Sequence, residues 1–479
     1  MPHARISILD MLLDETIAAI ATPTGEGGIG VVRISGRTAL IVAGEIFRPA
    51  SGIPVAGLPT HTAHYGFALD SVSEEHIDDG VLVVFRNPRS YTGEDTVEIS
   101  CHGGTVVMRR LLESALRAGA RLAEPGEFTK WAFLNGRIDL AQAEAVLDII
   151  RARTDEALRV ARRQFNGVLS TRIRMLREEL IGIMARIESS IDFPDDVAEM
   201  EPEKLVELIR DATTHLAGLL ETSERGRVYR EGISAAITGR PNVGKSSLMN
   251  ALLRDSRAIV TPIPGTTRDT IEESLSIQGI PITTIDTAGL RETEDQVEKI
   301  GVDRARKVID EADLVLMVID AQDGFTLEDE KLLSDLIGRK MIVVVNKTDL
   351  VTESDADALA GTVNQWLMDK GSETPQVVVT AAPSNAGIEA LENAVAQTVL
   401  VGGISSVDGA IVSNVRHRNA LERAHTALAQ ALFTARSGMA ADFIAIDLRT
   451  AIDSIGLVTG ETVSDDVIDR IFSDFCIGK

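Results

Sequence analysis

Apolar and polar positions follow three rhythms along this chain, and each rhythm predicts a different kind of domain. Residues 14 to about 135 mix short Val/Ile-rich runs with helical spacing. Thr16 to Thr22 and Ile29 to Ser35 read as strands around the turn Pro23-Thr24-Gly25-Glu26-Gly27-Gly28. Gly80 to Phe85 and Thr96 to Cys101 read as two more, and Thr105 to Arg117 as an amphipathic helix. This predicts an α+β domain, in which Cys101 ends a buried strand. From Ile138 to about Arg230 the apolar residues recur at helical spacing, with a break at Asp192-Phe193-Pro194-Asp195-Asp196 and Pro202. The same spacing returns from Val412, beyond Pro383, to the end of the sequence. Between the helical blocks, Ile233 to Thr238, Ile280 to Ile285 and Met341 to Val345 read as strands and Ser247 to Leu253 as a helix.

The expected architecture is multidomain. An N-terminal α+β domain covers 1–135, an all-α helical domain is built from 136–231 and 402–479, and an α/β domain over 232–401 is inserted into it. Insertion is tolerated where the ends of the inserted piece lie close together. Two separate helical modules are the alternative arrangement.

At 479 residues the chain is long enough for roughly three domains with cores of their own. A net charge of −24 argues against nonspecific binding to nucleic acid or membranes, so any RNA contact must be local. One candidate is the run Arg151, Arg153, Arg159, Arg162, Arg163, Arg172, Arg174 and Arg177; a solvated helix face is the competing reading. Two distant cysteines, Cys101 and Cys476, argue against a disulfide scaffold or a zinc site. Met1 to Leu13 reads as neither a secretory signal nor a transit peptide, and no later apolar run is long enough to span a bilayer. The expectation is a cytoplasmic protein without membrane association.

The chemistry sits in the central region. Gly239-Arg240-Pro241-Asn242-Val243-Gly244-Lys245-Ser246-Ser247 follows a strand and opens a helix, the context a phosphate-binding loop requires. Gly239 and Gly244 let backbone amides approach phosphate oxygens, Lys245 supplies a point charge, and the Ser246 hydroxyl is a magnesium ligand. Thr266-Thr267 follows in a Pro/Gly-marked loop suited to a switch, with Thr267 as a second magnesium ligand. Asp286-Thr287-Ala288-Gly289 ends the next strand, with Gly289 placed to donate its amide to a terminal phosphate. Asn346-Lys347-Thr348-Asp349 ends a third strand, and Asp349 can accept both guanine N–H donors. Such a site can reject the wrong base by roughly four orders of magnitude. The ordered set predicts a GTP-binding and GTP-hydrolysing domain.

In many small GTPases a glutamine after the Asp-x-x-Gly motif orients the attacking water. Here the position is Leu290, and spacing alone leaves Glu292, Glu294, Asp295 and Glu298 as candidates. Arg268 and Arg291 flank the switch motifs, but spacing identifies neither as an arginine finger. Unassisted turnover is expected on the order of 10⁻⁴ per second.

From about Asp14 to Lys479 the chain resembles the MnmE family of tRNA-modification GTPases, also called TrmE. The resemblance rests on Thr16-Ile17-Ala18-Ala19 through Arg33-Ile34-Ser35-Gly36, on Tyr91-Thr92-Gly93-Glu94-Asp95 and on Pro125-Gly126-Glu127-Phe128-Thr129. It continues in Ala132-Phe133-Leu134-Asn135-Gly136, Arg470-Ile471-Phe472 and Phe475-Cys476-Ile477-Gly478-Lys479. The resemblance implies a homodimer whose N-terminal domain binds 5,10-methylene- or 5-formyl-tetrahydrofolate through Arg33, Glu98, Arg137 and Lys479. It implies potassium in place of an arginine finger, held by Asn242, Thr261, Ile263 and Thr266, and it assigns water orientation to Glu298. The remaining nucleotide contacts it implies are Pro262, Pro264 and Gly265 in the switch loop and Thr380, Ala381 and Ala382 beside the base, where relatives often have Ser-Ala. Its members act with the FAD-dependent protein MnmG on the wobble uridine, position 34, of certain tRNAs. They add a carboxymethylaminomethyl or aminomethyl group at C5. A GTPase switch in ribosome assembly shares every motif from Gly239 to Asp349 and is the rival function, but it predicts neither the folate residues nor the terminal Cys-Ile-Gly-Lys.

Overall fold

The computed structural model describes residues 15–23, 25–193, 195–196, 198, 200–255, 272–286, 308–372, 376–400 and 409–479. The chain divides into two compact units, Met1–Leu147 with Thr459–Lys479, and Asp148–Val458.

The first unit is built on a seven-stranded sheet. Its strands are β1 (Thr16–Ile20), β2 (Gly27–Gly36), β3 (Phe47–Pro49), β4 (Thr62–Leu69), β5 (His76–Phe85), β6 (Thr96–Gly103) and β7 (Arg121–Leu122), in the order β3-β4-β5-β6-β2-β1-β7. Every pairing is antiparallel except β1 with β7. Alternation along β2, β5 and β6 sends Val32, Ile34, Leu82, Val84, Val97 and Ile99 to one face. There they pack against the helices Ala39–Ile46 and Thr105–Arg117, through residues such as Val42, Ile46, Met108 and Leu111. The opposite face carries Arg33 and Glu98, directly across from each other in the β2–β6 register. Cys101 is buried in the apolar core as expected, but it does not end its strand, because β6 runs on to Gly103. Thr459–Lys479 belongs to this unit because the amphipathic helix Asp465–Ser473 buries Ile468 and Phe472, with Phe475 beyond it, against Leu140, Ala143 and Leu147.

The second unit joins helices to an α/β sheet. Helix Pro202–Glu221 lies against both Val168–Asp192 and Val415–Arg436. The sheet comprises β8 (Ile233–Thr238), β9 (Glu272–Ile277), β10 (Ile280–Asp286), β11 (Leu314–Asp320), β12 (Met341–Asn346) and β13 (Gln376–Val379), ordered β13-β12-β11-β8-β10-β9. All neighbours run parallel except the β9–β10 hairpin. Leu314, Leu316 and Val318 point to one side, with Leu248, Leu252, Ile388, Leu391 and Val395. Val315, Met317 and Ile319 point to the other, with Leu333, Leu336, Val363 and Leu367. A sheet covered on both faces explains why β11 and β12 are nearly continuous apolar runs. The first apolar layer runs on into helices outside the sheet through Val160, Val228 and Tyr229.

The expected strands and helices at Gly80 to Phe85, Thr96 to Cys101, Thr105 to Arg117 and Ile233 to Thr238 all lie within observed elements of the same type. Met1 to Leu13 lies outside the described residues. The arginine run is not one stripe. Arg172 and Arg174, both exposed, stand two residues apart on a helix and so diverge, and Arg163 and Arg177 are half-buried.

Candidate functional site

β8 lies between β10 and β11, so the chain leaves its C-terminal end where the strand order reverses, the place where open α/β sheets bind ligands. From there Gly239 to Gly244 turn into the helix Lys245–Asp255. Two glycines are demanded by close approach as well as by conformation. Gly239 has φ +141°, and a Cβ on it would meet the Val318 carbonyl oxygen at 2.3 Å; Gly244 has φ +96°, and a Cβ would meet Asn346 Nδ2 at 2.3 Å. Asn242 also adopts a positive φ, +62°, and stands exposed on the loop. The ammonium of Lys245 donates to the carbonyls of Gly239 (2.9 Å) and Arg240 (2.6 Å), which holds its charge over the loop. Ser246 and Ser247 lie in the exposed first turn of the helix, and Val243 is buried beneath it. Loop, helix N-terminus and ammonium together make a site for phosphate oxygens.

The base-side elements converge on the same end of the sheet. Asn346 ends β12 fully buried, its Nδ2 donating to the Val243 carbonyl at 3.0 Å. Its Oδ1 accepts from the Thr380 hydroxyl at 3.2 Å and the Ala382 amide at 3.4 Å. One side chain thus ties the phosphate loop to the Thr380–Ala382 segment. Thr380 N–H donates to Val345 O (2.8 Å), Thr348 N–H to Thr380 O (3.2 Å), and Ala381 bridges to Ala386. The Thr380 hydroxyl is thus part of the tie to Asn346. Lys347 takes φ +63° and begins the 3₁₀ turn Thr348–Leu350, on which Asp349 stands exposed.

β10 ends at Asp286, in register with Ile237 of β8, so the backbone of Asp286 reaches the mouth of the phosphate loop. Thr261, Pro262, Ile263, Pro264, Gly265, Thr266, Thr267, Thr287, Ala288, Gly289 and Glu298 lie outside the described residues.

Three acids that the motifs do not include hold this site from behind. Asp320, at the end of β11, receives the Lys347 ammonium at 2.6 Å. Arg240 is clamped through Nε by both oxygens of fully buried Asp329 (3.0 and 3.1 Å) and through Nη2 by Asp323 (3.1 Å). Asp329 also closes the capping box with Thr326 on the helix Leu327–Leu336. The sequence signal for Asp320 and Asp323 is an acid at or just beyond the end of an apolar run, and for Asp329 it is the capping spacing Thr326-x-x-Asp329.

A second constellation lies on the face of the first unit's sheet opposite helices Ala39–Ile46 and Thr105–Arg117, where Ile17 and Ala19 pack against Phe128 and Trp131. Glu98 Oε1 accepts from both Arg33 Nε and Nη2 at 2.8 Å, and Arg33 Nη1 donates to the Gly478 carbonyl at 3.2 Å. The guanidinium lies over the rings of Phe128 (5.5 Å) and Tyr91 (5.8 Å). Burial pushes the Tyr91 phenol up, against its hydrogen bond with Thr129 (2.9 Å) and the Arg33 charge, so it is protonated at neutral pH. The Lys479 backbone oxygen accepts from the Phe128 amide at 3.2 Å, which brings the segment Cys476–Lys479 to the start of helix Glu127–Leu134. Arg137 is exposed and lies against the Gly93 turn, where Asn135 Nδ2 donates to the Thr92 carbonyl at 2.7 Å. Tyr91, Phe128 and Gly478 enter this cluster only through tertiary packing. No group of three or more metal-ligating side chains is present among the described residues.

Two family profiles match the chain, "MnmE helical domain" over residues 140–476 and "GTP-binding protein TrmE N-terminus" over residues 16–137. The tRNA modification GTPase MnmE of Moorella thermoacetica is 49% identical over 475 residues, covering 98% of this chain and 100% of that protein. The same-named protein of Carboxydothermus hydrogenoformans is 46% identical over 471 residues, covering 98% and 100%. That of Bacillus subtilis is 45% identical over 467 residues, covering 97% and 100%.

Proposed function

The chain belongs to the MnmE family of tRNA modification GTPases, and from that premise we propose that it hydrolyses GTP to drive modification of C5 of the wobble uridine in certain tRNAs. The observation that carries the nucleotide half is the Asn346 tie between the Val243 carbonyl and Thr380–Ala382, which joins a phosphate-binding loop to a base-binding segment. Lys245 then neutralises the outer phosphates, Asp349 accepts the guanine N–H donors, and the Gly289 amide meets the terminal phosphate. Glu298 orients the attacking water.

Two cations belong to this reading. Ser246 and Thr267 would hold magnesium, and the exposed Ser246 hydroxyl on the first turn after the loop suits a hard cation. Asn242, with Thr261, Ile263 and Thr266, would hold potassium; the exposed position of Asn242 on the loop fits that role. Bound potassium supplies positive charge where others use an arginine finger.

The N-terminal unit is read as the one-carbon site, for methylene- or formyl-tetrahydrofolate. Arg33 engages only Oε1 of Glu98, and Oε2 has no hydrogen-bond partner among the described residues. That leaves an oriented carboxylate oxygen for a pterin ring, while Arg137 and Lys479 supply cations for the folate's carboxylates. The domains in this reading are 1–135, 136–231 with 402–479, and 232–401, with Thr459–Lys479, the last part of the helical domain, falling in the same compact unit as the N-terminal domain. The protein acts as a homodimer with MnmG and tRNA in the cytoplasm, and no helix among the described residues is long and apolar enough to cross a membrane. Steady-state hydrolysis by the full chain tests the nucleotide half: GTP should be turned over and ATP not. Equal turnover of the two would remove Asp349 from base recognition.

A further inference from the structure

We propose that Asp320 is a positioning residue for base binding, acting through Lys347. Asp320 is the last residue of β11 and sits in register with Asn346, the last of β12. Its side chain is almost fully buried, and both oxygens are used: Oδ2 accepts from Lys347 Nζ at 2.6 Å and Oδ1 from the Gln322 amide at 2.9 Å. The Ala321 amide, one residue on, donates to the Asn346 carbonyl at 2.8 Å, so the two strand ends are fixed to each other before either side chain is considered.

A carboxylate this buried is costly unless paired, and a half-buried lysine such as Lys347 ordinarily sends its ammonium to water. The pair satisfies the first requirement and overrides the second. Lys347 is held in the left-handed region, and its stem passes along the phosphate loop: Cε lies 3.8 Å from the place a Cβ on Gly244 would occupy. The stem therefore runs between Gly244 and Asp320 and forms an apolar floor one residue from Asn346 and two from Asp349. Asp320 keeps that floor in place. Without the anchor the ammonium moves out to solvent and the stem leaves with it.

The inference rests on Asn346–Asp349 as the base-reading segment. The test is equilibrium binding and dissociation of a fluorescent GDP derivative on the full chain, with thermal unfolding recorded alongside. The proteins are wild type, Asp320→Asn, Lys347→Met, the double variant and Asp349→Ala. Asp320→Asn should weaken GDP roughly tenfold through faster dissociation, the size expected for one charge-assisted hydrogen bond. In the Lys347→Met background it should cause no further loss, because there is no ammonium left to hold. Equal losses in both backgrounds, which a merely structural acid would give, overturn the proposal, and so does wild-type affinity in Asp320→Asn. If Asp320→Asn fails to fold, Lys347→Met decides: weakened GDP binding supports the anchored floor, and unchanged binding overturns it. Unchanged affinity in Asp349→Ala would instead show that the base-reading assignment itself has failed.

Discussion

Replacing Asn346 with alanine should separate the two halves of the nucleotide site. The side chain is fully buried and has three partners: the Val243 carbonyl at 3.0 Å, the Thr380 hydroxyl at 3.2 Å and the Ala382 amide at 3.4 Å. The hydroxyl can rotate to another acceptor, but the two backbone groups cannot follow. Each buried backbone group left unsatisfied costs about 1–3 kcal/mol. The Ala382 contact is long, so the low end applies to it, and the sum is about 2–4 kcal/mol. At about 1.4 kcal/mol per decade, this corresponds to a loss of roughly 30- to 1,000-fold if it falls wholly on nucleotide affinity. Fluorescence titration with GDP gives that share, and urea unfolding of the same protein gives the share taken by stability. We expect affinity to fall by at least about tenfold, with the unfolding midpoint lowered. Affinity within about threefold of wild type would refute the view that this one amide holds loop and base segment in register.

GTP turnover should be much faster in potassium than in sodium at equal ionic strength, and equal rates would remove Asn242 from its role. Glu298→Ala should bind GTP with unchanged affinity while kcat falls; loss of binding in an equilibrium titration would contradict the assignment. Arg33→Ala should abolish binding of a tetrahydrofolate derivative in calorimetry without altering GTP hydrolysis, because it releases Glu98 and the Gly478 carbonyl together. Burial, with Asp78 and Asp79 adding to it, pushes the Cys101 thiol up to about 12. Its reactive thiolate therefore accumulates only as the pH approaches that value, and iodoacetamide at pH 8 should modify exposed Cys476 alone by peptide mass. Labelling of both cysteines at similar rates would contradict the burial of Cys101.

The elements closest to the chemistry were the most legible. Ile233 to Thr238 is a short apolar run bounded by glycines, and Ser247 to Leu253 continues a helix whose start the loop defines, so periodicity and motif agree there. β4 alternates but carries Tyr65 and Phe67 on its exposed face and Gly66 on its buried one, and β3 and β7 are only three and two residues long, so apolar pattern alone does not find them. The helix Asp465–Ser473 was legible as a helix, but its partner was not. An apolar stripe says that a face is buried and not against what, and only packing assigns Phe472 and Phe475 to Leu140 and Leu147. The same limit applies to the site. Motifs name Lys347 and Asn346, whereas Asp320 and Asp329 lie outside them, and the terminal motif that contains Gly478 does not say that its carbonyl meets Arg33; tertiary folding makes these contacts.

The measurement that bears most directly on the whole account is mass spectrometry of wobble-uridine nucleosides in tRNA from cells lacking this protein. These would be compared with cells rescued by wild type, by Lys245→Ala and by a copy ending before Cys476. The account predicts loss of the 5-aminomethyl-type group, restored by wild type and by neither variant. Unchanged nucleosides in the deletion would contradict it and would leave a GTPase whose work lies elsewhere, with ribosome assembly the first place to look.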